Sequence, residues 1–316
     1  MGLLGLYIGA QAVGLALADP FLSAGLSSTS NPQSPTAPIL IIAVIIIAPL
    51  FILFFARRTG GLAALRQIIL IGIAGALYVT LYATFLLLPP GVILLKPYGA
   101  ELGLIPALTL ATMVSAGLYL ALLMEPQWYI VDLAGFLAAG SLIAILGISF
   151  GILPAFILLI ALMIYDAIAV YRTKHMVSLA DAVVDMKLPI LMVMPDSAGY
   201  DYTRAPTLAE QREQPTEERA ALFMGLGDVV IPGTLIVSAF VWLPTHPSVL
   251  GVGANLWAAL GALVGSLVGY AILMRVVLRG NPQAGLPLLN GGAIVGYAIV
   301  YVLLFRSLTL GLTGGL

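Results

Sequence analysis

The 316-residue chain is 61% hydrophobic and 9% charged, with a net charge of −1. Soluble proteins carry about 25% charged residues, and no soluble core absorbs this much apolar surface, so the solvent for most of the chain is lipid. The near-zero charge argues against a nucleic-acid partner. The chain has no cysteine and two distant histidines, His175 and His246, and it lacks an HExxH sequence, a Walker loop and a dinucleotide-binding glycine fingerprint. Disulfides, thiol nucleophiles and thiolate sites are thereby excluded, and no metal or other cofactor is expected.

Nine hydrophobic segments follow in order, each near the ~20 residues a bilayer requires. They are Leu3–Ala18, Pro38–Ala56, Ile68–Leu88, Leu102–Met124, Tyr129–Ser149, Pro154–Tyr171, Ala220–Leu243, Val252–Met274 and Ala284–Phe305. The expected fold is an all-α polytopic membrane protein with about nine transmembrane helices. The chain divides into residues 1–171, a polar loop over 172–219, and residues 220–316. The first segment lacks a basic leader, although Ala16-Leu-Ala18 can be read as a signal-peptidase site. Segments one to five are small and aliphatic and read as packing scaffold. Gly261, Gly265 and Gly269 in segment eight, with Gly292 and Gly296 in segment nine, form a small-xxx-small ladder for close helix packing.

With the first helix starting inside, eleven of the thirteen basic residues fall in inside connections. Only Lys96 and Arg306 fall outside. The positive-inside rule then places the N-terminus in the cytoplasm, the C-terminus outside, and the long loop on the cytoplasmic side of a cell membrane. Within that loop, Met176–Met186 has the apolar spacing of an interfacial amphipathic helix. Leu188-Pro-Ile-Leu-Met-Val-Met194 is strand-like, and the polar stretch Pro195–Glu218 is too hydrophilic to fold alone. The loop is expected to lie outside the helical bundle.

Two carboxylates break the apolar pattern. Asp166 lies in Ala161-Leu-Met-Ile-Tyr-Asp-Ala-Ile-Ala-Val170. Asp228 lies in Ala221-Leu-Phe-Met-Gly-Leu-Gly-Asp-Val-Val-Ile231. An ionised carboxylate in hydrocarbon costs on the order of 2.5–3.5 kcal/mol even on insertion scales, so such residues tend to mark function. Helical rise from Arg172 and Arg219 places them about 9 and 14 Å from the cytoplasmic boundary. They sit on consecutive antiparallel segments and can face each other. Two close carboxylates in a low-dielectric site cannot both ionise, so the pair shares a proton. That state suits an aspartic protease, with one carboxylate as general base on water and the other as acid to the scissile carbonyl. It suits a proton relay in a transporter equally well. Gly225 and Gly227 remove bulk beside Asp228 and admit another backbone.

Tyr165-Asp166, and Gly225-Leu226-Gly227-Asp228 on the next segment, resemble the YD and GxGD motifs of the presenilin and signal peptide peptidase family of intramembrane aspartyl proteases. The nine spans and the intervening cytoplasmic loop are similar too. The resemblance implies a presenilin-like fold and hydrolysis of peptide bonds within the transmembrane helices of single-span substrate proteins in the bilayer. It implies Asp166 and Asp228 as the catalytic pair, with Tyr165, Gly225, Leu226 and Gly227 in support. The family's PAL motif at the ninth span corresponds to Ala284, Gly285 and Leu286, preceded by Gln283 and followed by Pro287. The motif's proline is missing, which puts in doubt any role that needs a fixed φ there. Residues 284–286 and Pro287 are expected to position substrate, together with Leu188, Ile190 and Leu191 of the strand-like run, by β-augmentation. A proton-coupled transporter and a non-catalytic helix-binding chaperone are the alternatives, and a homo-oligomer is compatible with the sequence. Asp132 and His175 read as interfacial residues. Ser141 has no histidine beside it in the membrane, which argues against a serine mechanism.

Overall fold

The computed structural model describes residues 2–56, 61–87, 104–173, 189–195, 200–202, 221–277 and 283–312. Among them are nine helices: α1 (Gly2–Ser23), α2 (Ala37–Ala56), α3 (Gly61–Leu87), α4 (Leu104–Met124), α5 (Trp128–Ser149), α6 (Ile152–Ile168), α7 (Leu226–Trp242), α8 (Ala254–Val277) and α9 (Leu286–Phe305). Seven are long and apolar enough to cross a bilayer, and the shorter apolar stretches are Ala37–Ala48 and Leu226–Trp242. The molecule is an all-α polytopic membrane protein. Among the described residues four short strands interrupt the helices: β1 (Leu191–Pro195) pairs antiparallel with β2 (Ala221–Gly225), and β3 (Ser248–Val249) with β4 (Val252–Gly253).

α7 sits at the centre, packed by α5, α8, α1, α6 and α9. Its stretch from Val229 to Ala239 is buried without a break, which explains why its sequence shows no amphipathic stripe. α1 is a full member of the core. Tyr7, Ala10, Ala18 and Phe21 are completely enclosed, and the Gln11 amide donates to the Val229 carbonyl at 2.8 Å.

The glycine ladder works as its spacing implies. A Cβ on Gly265 would collide with the Gly292 carbonyl, and one on Gly296 with the Gly261 carbonyl. α8 and α9 therefore touch backbone to backbone, which only glycine permits at these positions.

Two expectations need correction. The segment expected as a helix from Ala220 begins instead as strand β2, and its helix starts at Leu226. Strand residues rise about 3.3 Å each, so the depth assigned to Asp228 by helical rise does not hold. The described parts of the loop are also not external to the bundle. Met192 and Val193 of β1 and Tyr202 are fully buried, and Tyr202 lies with its ring centroid 6.4 Å from that of Phe223. The physical reason is that the backbone polar groups of an extended segment packed against apolar helices need partners within the protein. The amphipathic stretch Met176–Met186 and Leu188 lie outside the described residues.

Candidate active site

Asp166 sits in the last turn of α6, with 8% of its surface exposed. The helix does not stop there but widens into a π-helical turn over Ala169–Thr173, a form found often at functional sites. Asp228 sits in the first turn of α7, behind the N-cap Gly225. Its carboxylate turns back to accept a hydrogen bond from the Gly225 N–H, which is the return half of a capping box. The acid is therefore not stranded in the middle of a helix. It occupies a helix N-terminus, where free N–H groups favour negative charge.

The residues aligned with the third motif join the two acids. Gly285 is the N-cap of α9. The Leu286 N–H donates to Asp166 Oδ2 at 3.1 Å, and Gly285 N–H also donates to this carboxylate. A Cβ on Gly285 would stand 3.1 Å from Cγ and both oxygens of Asp228. The segment 285–286 thus lies beside both carboxyl groups, which are within electrostatic reach of each other. Each acid is held by the start of a helix: Asp166 by α9, Asp228 by α7.

The missing proline has a local replacement. The Ala284 N–H, which a proline lacks, donates to the Tyr171 hydroxyl at 3.4 Å. That hydroxyl donates in turn to Gln283 Oε1 at 2.8 Å. The π-turn and the approach to α9 are thereby tied side chain to backbone. Pro287 stands in the first turn of α9, where its lack of an N–H costs nothing.

The supporting residues divide. Tyr165 is half-buried beside Asp166 and feels its charge. Gly227 is exposed, and a Cβ there would meet nothing within 4 Å. Leu226 packs on α5, 3.7 Å from where a Gly135 Cβ would sit. Leu191 lies opposite Gly225 in the β1–β2 register, and Ile190 accepts the Leu226 N–H at 3.0 Å. Ile190 and Leu191 are thus placed at the root of α7, facing Leu226 and Gly225, the residues two and three positions ahead of Asp228.

Two residues escaped the sequence reading. Tyr7 of α1 is fully enclosed and close enough to Asp228 to sense its charge; an isolated Tyr in an apolar helix gives no signal for this. Asp132 of α5, read as interfacial, is 7% exposed, and its Oδ1 accepts the Val193 N–H at 2.7 Å. Its signal was the same one that marked Asp166: a carboxylate inside an apolar segment. Burial pushes the Tyr202 hydroxyl up, with smaller contributions from Tyr200 and Asp132, so Tyr202 stays neutral.

The family model described as signal-peptide peptidase, presenilin aspartyl protease matches residues 4–306. Two solved structures are similar over almost the whole chain. Each is of a presenilin family intramembrane aspartate protease, one in space group C222 and one in P2. The first is 31% identical, covers 96% of this chain and 100% of its own, and superposes with a TM-score of 0.61. The second is 31% identical, covers 96% and 97% respectively, and has a TM-score of 0.60. No curated protein matches the sequence.

Proposed function

The chain belongs to the signal-peptide peptidase and presenilin aspartyl protease family, and from that premise we propose that Asp166 and Asp228 together hydrolyse peptide bonds in the membrane-spanning helices of single-span proteins. The enzyme is an aspartic intramembrane endopeptidase. The observation that carries the assignment of the pair is the segment 285–286, whose N–H groups donate to Asp166 and whose glycine leaves the Asp228 carboxyl the space a Cβ would crowd.

The chemistry follows from this arrangement. A dyad sharing one proton has one carboxylate free to take a proton from water. The other carboxyl donates to the scissile carbonyl oxygen, so the attacking water and the polarised carbonyl meet between them. The proton taken from water then passes to the leaving nitrogen as the C–N bond breaks, and a hydroxyl of the gem-diol returns its proton to the other carboxylate, which leaves a carboxylic acid, an amine and a singly protonated pair. No covalent intermediate is required.

A helical substrate hides its carbonyls in i→i−4 hydrogen bonds and must unwind before attack. An unwound segment needs partners for its backbone in a dry site. β2 supplies them. The Leu226-to-Ile190 bond and the strand register make Met192–Met224 and Met194–Leu222 the bonded pairs, so Phe223 and Ala221 direct their N–H and C=O groups away from β1. The sequence reading placed substrate pairing on Leu188–Met194. The Val193 N–H on the outward edge of β1 is already engaged by Asp132, which moves the pairing edge to β2. A strand added there leads toward Gly225, whose own N–H is committed to Asp228. The substrate is thus delivered to the acids in extended form.

Proteoliposomes holding one labelled single-span substrate test the pair. Asp166→Asn and Asp228→Asn should each abolish cleavage while leaving the detergent-solubilised protein folded. Full activity in either variant would remove that residue from the dyad, and ion flux without cleavage would favour the transporter.

A further inference from the structure

We propose that Asp132, in the first turns of α5 and outside the catalytic pair, is a positioning residue for Asp228 that acts through the β1–β2 ribbon. The inference rests on Asp228 being one of the two catalytic carboxylates.

The contact is built rather than incidental. Asp132 is buried, and its Oδ1 meets the Val193 N–H at 2.7 Å. Val193 is opposite Phe223 in a pair that does not exchange backbone hydrogen bonds, so its N–H points away from β2. Without Asp132 this donor would be an orphan inside protein. A side-chain oxygen from α5 answers it with a short bond. Three residues on, Gly135 lets the same helix approach the Pro189 carbonyl, 3.3 Å from where a Cβ would stand. Both contacts anchor β1 to α5.

From β1 the constraint passes to the acid by covalent and hydrogen-bonded steps. β1 fixes β2 in register, from Leu191 opposite Gly225 to Pro195 opposite Ala221. The Leu226 N–H is tied to the Ile190 carbonyl at 3.0 Å. Gly225 and Leu226 are the N-cap and first residue of α7, and Gly225 holds the Asp228 carboxylate. A two-stranded ribbon has little stability of its own. Its geometry must come from what it packs on, and α5 is the helix it packs on most closely. Releasing the outer edge of β1 therefore loosens the frame that aims Asp228. Asp132 also closes that edge to an extended substrate, leaving β2 as the acceptor and fixing which peptide bond reaches the acids.

The test compares Asp132→Leu, which keeps the shape and removes the acceptor, with Asp132→Asn, whose amide oxygen accepts the same N–H. In proteoliposomes, kcat, KM and the cleaved bonds are measured for one single-span substrate. Asp132→Leu should lower kcat by tenfold or more with KM within twofold, and should spread cleavage over neighbouring bonds. Asp132→Asn should restore kcat to within threefold and a single main cleavage position. Amide hydrogen exchange at Val193 should be faster in the Leu variant and near wild type in the Asn variant, a readout independent of activity. Unchanged kcat, unchanged exchange in the Leu variant, or equal losses in both variants would each overturn the positioning role. Failure of the underlying reading is separate: it would appear as retained activity in Asp228→Asn, whatever Asp132 does.

Discussion

Gly285 offers the sharpest perturbation of the site. Its φ and ψ are −78° and −46°, a conformation that alanine adopts without strain. Gly285→Ala therefore acts through one methyl group, and that methyl would sit 3.1 Å from three atoms of the Asp228 carboxyl. Comfortable separations for such atoms are about 3.5–4.0 Å. The carboxyl or the 285–286 segment must yield by several tenths of an ångström, and that segment also carries the N–H groups that hold Asp166. A misplacement of about 1 Å can cost about a hundredfold in rate. A third to a half of that displacement predicts about a tenfold loss in kcat, or about 1.4 kcal/mol of transition-state stabilisation. Gly285→Val, with two further methyl groups, should approach a hundredfold. Thermal stability in detergent should hardly change, because the clash falls on a movable carboxyl. Gly227→Ala is the control for geometry: the site of its Cβ is open, so the protein should fold as well as wild type or better, with any effect confined to KM. Wild-type kcat for Gly285→Ala would refute the idea that this glycine sets the spacing of the acids.

The pH profile of kcat/KM should be bell-shaped, with two apparent pKa values that belong to the pair; a rate flat across the acidic and neutral range contradicts a shared proton. Gly265→Leu should destabilise the bundle by about 3 kcal/mol or more, since its side chain meets the backbone of α9 at Gly292, and an unchanged melting temperature would show that the seam can open freely. Single cysteines replacing Thr173 and Thr216 in this cysteine-free chain should react with an impermeant thiol reagent only from the cytoplasmic side, and labelling from outside would invert the orientation drawn from the basic residues.

The helices were legible because the bilayer imposes length and polarity on each of them. The acids were legible because hydrocarbon makes a buried carboxylate expensive, and the small residues of α8 and α9 because their spacing is regular. β2 was not. Ala221-Leu-Phe-Met-Gly is apolar throughout and runs without a break into α7, so periodicity cannot separate strand from helix over five residues. Only pairing with β1 decides it, and the partner lies some thirty positions away in sequence across a polar stretch. Asp132 was misjudged for a related reason. Beside Trp128 and Tyr129 at the end of a span, a carboxylate normally reaches water, and nothing local shows that a strand will cover it.

These misses share one physical cause. Extended backbone at membrane depth is tolerated only where its polar groups find partners. Half of β1 is answered by β2, and the Val193 N–H is answered by Asp132. The inner edge of β2 is answered by β1. On its outer edge, Gly225 is answered by Asp228, while Phe223 and Ala221 face away from the ribbon. A helix pulled apart for hydrolysis has the complementary need, since it gives up its internal hydrogen bonds in a medium that offers no replacements. In the proposed reaction the ribbon would repair that loss for about as many residues as β2 turns outward, immediately ahead of Asp228. A substrate in which N-methyl groups block this pairing should therefore bind as a helix yet be cut slowly, with the deficit in kcat rather than KM. Equal kcat for the methylated and unmodified substrates would mean that unwinding is supported elsewhere, and that the strand preceding α7 serves only to place the acid.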